Sequence, residues 1–152
     1  MKSLTPEMVP VELRERPQWV LWKLVERDGK ATKVPFSVGG GAAKSNDPAT
    51  WSDFWLAWNA FQAGGYTGIG FMFAKDDPFV GIDLDGCRDP KTGTVAPWAK
   101  TIIKRFGSYA EMSPSETGVK IFAIGKSPFP SGRKVDVVGA EQIGDKRPAI
   151  EV

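Results

Sequence analysis

A chain of 152 residues, 41% hydrophobic and 25% charged, has the make-up of a folded globular protein and the length of one domain with a real core. The absence of histidine excludes imidazole catalysis, Ser-His-Asp triads and His-based zinc sites, and the single Cys87 excludes an internal disulfide and a thiolate metal cluster. A formal net charge of +2 is too small to diagnose a nucleic-acid binder; with no apolar run of membrane-spanning length and no apolar core in residues 1–7, a cytoplasmic, reducing location and no membrane partner are expected.

Taken in order, residues 10–17 are a polar approach to Trp19-Val20-Leu21-Trp22-Lys23-Leu24-Val25, a strongly β-prone run. Asp28-Gly29 predicts a hairpin turn into Ala31-Thr32-Lys33-Val34-Pro35-Phe36, an edge strand because Pro35 has no N–H to donate. The loop Gly39-Gly40-Gly41-Ala42-Ala43-Lys44-Ser45-Asn46 has the small residues and donors that can wrap a phosphate, but without a Gly-Lys-Ser/Thr pattern a plain connector is the simpler reading. Thr50 is expected to open a helix, with Asp53 as a capping-box partner and Gly64 as the stop. Its stripe of Trp51, Phe54, Trp55, Trp58 and Phe61 reads as core rather than as a platform for bases. Residues 68–73 read as a strand that turns at Asp76-Asp77-Pro78 and pairs as a hairpin with the strand after it.

That next stretch, Phe79-Val80-Gly81-Ile82-Asp83-Leu84-Asp85-Gly86-Cys87, organises the rest. Alternation on a strand puts Asp83 and Asp85 on one face, with Cα atoms about 6.5–7 Å apart. Two such carboxylates at the end of an apolar strand repel each other and lose solvation, and a shared divalent cation relieves both costs. The competing reading is a strand exit, with both carboxylates in water and Asp and Gly serving the turn.

A second helix is expected from Pro97 to Gly107, with Trp98, Ala99, Ile102, Ile103 and Phe106 inward and Lys100, Lys104 and Arg105 on a solvated face. Ser113-Pro114-Ser115-Glu116-Thr117-Gly118 is a turn dense in hydroxyls, and Val119–Ile124 leaves it as a strand. Lys120 shares its strand face with Phe122 and Ile124, where an ammonium calls for an anionic partner. Residues 126–132 are a loop, 134–138 a short strand and 140–148 polar. Ala149-Ile150-Glu151-Val152 reads as the first half of a strand, so a longer parent protein is expected. Strands interspersed with two main helices, without repeats, predict an α+β fold with a largely antiparallel mixed sheet.

Four stretches, in order, resemble the N-terminal primase-polymerase domain of phage and plasmid replication proteins, in the archaeo-eukaryotic primase superfamily. They are residues 19–23 with 32–36; Asn46-Asp47-Pro48-Ala49-Thr50-Trp51; residues 68–71 leading to Gly81-Ile82-Asp83-Leu84-Asp85; and residues 108–120. The resemblance implies one such domain over residues 1–152, with an N-terminal α/β part at 10–66 and a metal- and nucleotide-binding core at 67–152. It implies template-directed nucleotidyl transfer in DNA replication, with a DNA template and primer, nucleoside triphosphates and a fused downstream helicase as partners. Asp83 and Asp85 match the family's Asp-x-Asp motif for Mg²⁺ or Mn²⁺. Glu151 matches the third acid, with Asp136 as the competing candidate. Ser113, Ser115, Thr117, Gly118 and Lys120, with Lys33 and Ser45, are the implied nucleotide-binding residues.

The turn departs from the family pattern twice, carrying Glu116 where Gly is usual and Lys120 where His is frequent. These departures motivate a second reading, a non-catalytic nucleotide- or DNA-binding module. A third, from Asp83-Leu84-Asp85-Gly86-Cys87, is a haloacid-dehalogenase-like phosphatase with Asp83 as nucleophile and Asp85 as general acid. That class needs a downstream lysine and a second acidic pair after further α/β units.

Overall fold

The computed structural model describes residues 4–143 and 146–152. The chain divides into two compact units, one running to Asp76 and one from Asp77 to Val152.

In the first unit a 3-10 turn (Pro6–Met8) and a short helix α1 (Val11–Arg14) precede strands β1 (Trp19–Arg27) and β2 (Lys30–Phe36); a second 3-10 turn (Pro48–Thr50), helix α2 (Phe54–Gln62) and strand β3 (Gly68–Phe71) follow. The strands form an antiparallel sheet in the order β2-β1-β3. Asp28 and Gly29 both have positive φ (51° and 73°), the conformation that lets a two-residue turn match the twist of its strands. β2 is an edge strand, as Pro35 predicts.

Helix α2 starts later than the sequence suggests. Thr50 ends the 3-10 turn, and Asp53 is the N-cap itself, its carboxylate accepting from the Leu56 N–H at 2.9 Å. Asp53 wins because its short carboxylate reaches a free first-turn N–H, whereas the Thr50 hydroxyl is engaged by the Asp47 and Lys44 backbone. Only part of the aromatic stripe is core. Phe54 and Trp58 are buried, Trp55 is 50% exposed, and Trp51 lies outside the helix with its indole N–H on the Lys44 carbonyl. Trp19 packs edge-on against Phe54 and Phe71, with ring centres 5.0 and 5.3 Å away.

The second unit holds β4 (Phe79–Asp85), helix α3 (Pro97–Phe106), β5 (Ala110–Met112), β6 (Val119–Ile124), β7 (Lys134–Asp136) and β8 (Ala149–Glu151). Its five strands run antiparallel in the order β5-β6-β4-β8-β7. The expected hairpin between β3 and β4 does not form. β4 has β6 on one side and β8 on the other, leaving it no open edge, while β3 pairs with β1. A local reason is Gly68, which pairs with Trp22: a Cβ there would stand 2.8 Å from the Trp22 ring, so this strand fits beside that indole.

Pro97 opens α3, and Gly107, at φ 56°, closes it in the left-handed conformation that glycine adopts freely. One face of the second sheet supplies Ile82, Leu84 and Ile121 to a core with Ala99 of α3 and Cys87; Trp98, Ile102, Ile103 and Ile150 pack around it. Phe106, expected inward, is 46% exposed at the helix end. Burial pushes the Cys87 thiol above the usual cysteine range. Cys87 is therefore expected to resist an aromatic disulfide reagent in the native protein and to react at once in denaturant; fast native labelling, read by absorbance, would contradict the packing.

Candidate functional site

Because the apolar face of the second sheet is taken by the core, its opposite face carries the polar side chains of the same strands. Cross-strand register sets five of these in one row: Glu111 of β5 opposite Lys120 of β6, Lys120 opposite Asp83 of β4, Asp83 opposite Glu151 of β8, and Glu151 opposite Lys134 of β7. Asp85 stands on the same face one step along β4, opposite Ala149, which is itself opposite Asp136. Glu151 is thus the immediate cross-strand neighbour of Asp83, while Asp136 is two strands away from β4.

Two like charges directly opposite on a sheet are destabilising, and lysines offset the charge on both aspartates. The Lys120 ammonium donates to Asp83 Oδ2 at 2.8 Å, supplying the anionic partner that its apolar strand face calls for. Lys134 pairs with Asp85 Oδ2. That hydrogen bond raises the Lys134 ammonium above the usual lysine range, and the charges of Asp85, Glu151 and Asp136 add to it. All four side chains are about a third or more exposed, so each pair contributes at most about 1 kcal/mol.

The hydroxyl turn lies against the end of the same strand. Its ends are tied by Ser113 N–H to the Gly118 carbonyl (2.9 Å) and Gly118 N–H to Ser113 Oγ (3.0 Å). The Thr117 carbonyl accepts from the N–H groups of Cys87 and Arg88, and the Arg88 guanidinium donates to the Glu116 carbonyl at 2.8 Å. A Cβ on Gly118 would stand 2.7 Å from the Leu84 carbonyl and 3.7 Å from Asp85 Cα, so only glycine lets the turn come this close to the acids. Ser113, Ser115 and Thr117 link through their hydroxyls at 3.0 and 2.8 Å, and Lys146 donates to Ser115 Oγ at 3.2 Å.

Glu116 has φ 60°, a left-handed conformation that costs a side-chain-bearing residue about 1–2 kcal/mol. Glu116→Gly relieves that strain and keeps the backbone carbonyl that Arg88 uses, while gaining unfolded-state entropy of about 0.4–1 kcal/mol. The expected net is a stabilisation of roughly 0.5 kcal/mol and a small rise in melting temperature; a lower melting temperature for the variant would contradict it.

The structure therefore brings Asp83, Asp85, Glu151, Lys120, Ser113, Ser115, Thr117 and Gly118 into the second unit around one strand end. Lys33 and Ser45 belong to the first unit: Lys33 on β2, its ammonium 4.6 Å from the Trp22 ring centre, and Ser45 exposed in the loop after β2. Sequence reasoning missed Lys134, Lys146 and Arg88. Alternation along Lys134-Val135-Asp136 was readable, but β7 lying beside β8 was not.

The donor set is carboxylate oxygen alone, the chemistry that suits Mg²⁺ or Mn²⁺. Among the described residues no three His, Cys, Asp or Glu side chains are gathered closely enough to hold an ion. The ammonium groups of Lys120 and Lys134 instead neutralise the aspartates. Shared coordination requires side-chain rotation on strands whose backbone already sets the acids side by side.

The further α/β units that a phosphatase reading requires are not found among the described residues, where every strand pairing of the second sheet is antiparallel. No helix among them is long and apolar enough to cross a membrane. No protein-family profile matches the chain. It is similar to the DNA primase-polymerase of Nitratiruptor phage NrS-1, with 41% identity over 112 residues; the match covers 73% of this chain and 15% of that relative.

Proposed function

The chain carries a primase-polymerase domain, and from that premise we propose that it performs metal-dependent, template-directed nucleotidyl transfer in DNA replication, on a DNA template and primer with nucleoside triphosphates. The observation that carries the reading is Glu151 directly opposite Asp83 on the face that also bears Asp85. In this proposal Asp83, Asp85 and Glu151 would hold Mg²⁺ or Mn²⁺. When bound, such ions supply charge neutralisation at the phosphates and lower the pKa of the attacking hydroxyl.

The chain's own residues do the rest. With such ions there, the three carboxylates would fix where positive charge sits beside the hydroxyl turn. The Ser113, Ser115 and Thr117 hydroxyls offer donors to phosphate oxygens, and Gly118 keeps that turn against the strand end beside Asp85. Lys120, exchanging its bond to Asp83 for one to phosphate, contributes a point charge that a neutral imidazole would not.

The test is extension of a labelled primer on a DNA template with Mg²⁺ or Mn²⁺, using ribo- and deoxyribonucleoside triphosphates in turn. Template-dependent extension supports the proposal. The Lys120–Asp83 pair favours one other reading, a module that binds nucleotide without incorporating it; binding by calorimetry with no extension in either metal would establish that reading instead.

A further inference from the structure

We infer that Lys134 is a displaceable counter-ion of the acidic site: its ammonium neutralises Asp85 in the metal-free protein, and it must leave Asp85 before a divalent cation can take that carboxylate as a ligand. The inference rests on the metal-binding reading above and adds a residue to it.

Lys134 sits on the edge strand of its sheet, directly opposite Glu151 and two strands from Asp85. To pair with Asp85 its side chain crosses β8 diagonally. The crossing is open because Ala149, the residue between Asp85 and Asp136 in the register, presents only a methyl group. A longer side chain at position 149 would stand in that path. Lys134 therefore bypasses the acid directly beside it in the register and reaches the one further away.

The two lysines differ in how easily they leave. Lys120 projects from a six-residue strand paired on both sides, and its side chain is 32% exposed. Lys134 projects from a three-residue edge strand and is 51% exposed. Its long stem can swing into water with little loss of packing. A dication bound by Asp85 would repel an ammonium held on the same oxygen, so the two cannot share it. Lys134 is the cheaper of the two to displace, and metal-free protein keeps Asp85 compensated until the exchange occurs.

The experiment labels the amines of the protein with a small acylating reagent, with and without Mn²⁺, reading each lysine by mass spectrometry. Bound Mn²⁺ is measured in the same samples by electron paramagnetic resonance. Lys134 is expected to acylate severalfold faster once Mn²⁺ is bound, with the exposed Lys30 and Lys91 unchanged. Lys134→Met is expected to bind Mn²⁺ about fivefold more tightly than wild type, the worth of one partly exposed ion pair. Mn²⁺ binding with no change in Lys134 labelling, or Lys134→Met binding Mn²⁺ no more tightly, overturns the inference and leaves the metal reading standing. If wild-type protein binds no Mn²⁺, the metal reading fails first and the inference falls with it.

Discussion

Asp83→Ala is expected to lower metal-dependent primer extension by about three orders of magnitude or more, the scale set by losing several kcal/mol of transition-state charge stabilisation. Asp83 stands mid-row, with Lys120 opposite on one side and Glu151 on the other, so its carboxylate is the group both neighbours are arranged around. The same substitution is expected to leave the fold intact. The ion pair it removes is partly exposed, and such pairs contribute at most about 1 kcal/mol. The face it touches is not the one holding Ile82, Leu84 and Ile121 in the core. Extension and thermal melting measured on the same preparation separate the two effects: unchanged extension removes the proposed function, and a collapsed melting curve makes Asp83 a structural residue.

Gly86→Ala is expected to be costly in the opposite sense, by damaging the frame. Gly86 has φ 59°, and a Cβ there would lie 2.6 Å from the Lys146 carbonyl oxygen and 2.7 Å from that of Arg147. Both obstacles are backbone, so no side-chain rotation relieves them. A left-handed alanine costs about 1–2 kcal/mol, and forcing a methyl into a filled space typically adds about 1–3 kcal/mol. A loss of roughly 2–4 kcal/mol follows, enough to lower the melting temperature of a chain of this length by roughly 4–16 °C. Segment 146–147 leads straight into β8, so its displacement would also carry Glu151 away from Asp83. A variant that melts like wild type would show that the approach of these backbones is not what seats β8.

These two positions illustrate what the sequence disclosed and what it withheld. Alternation alone put Asp83 and Asp85 on one face, and Asp28-Gly29, Pro35, Pro97 and Gly107 marked a turn, an edge and a helix's two ends because each acts through its own backbone. Strand neighbours are another matter. That β3 pairs with β1 depends on Gly68 leaving room for the Trp22 ring, a complement between residues far apart in the chain. That Lys134 reaches Asp85 depends on β7 lying beside β8. Periodicity tells which way a side chain faces; it does not tell which strand lies alongside. Glu116 was visible as a departure from the family's glycine, and its positive φ gives the physical reason a glycine suits the position. The capping of α2 by Asp53 rather than Thr50 turned on a local competition, since both residues had suitable side chains.

The proposed function depends most on Asp83, Asp85 and Glu151 closing together on divalent cations beside the hydroxyl turn. The most direct measurement is a crystal structure with Mn²⁺ and a nucleoside triphosphate, located by the anomalous scattering of manganese. The expected result is manganese bound by oxygens of all three acids, with Lys120 and Lys134 moved off the aspartates and the triphosphate against residues 113–118. Manganese bound elsewhere, with both lysines still paired to Asp83 and Asp85, would contradict it.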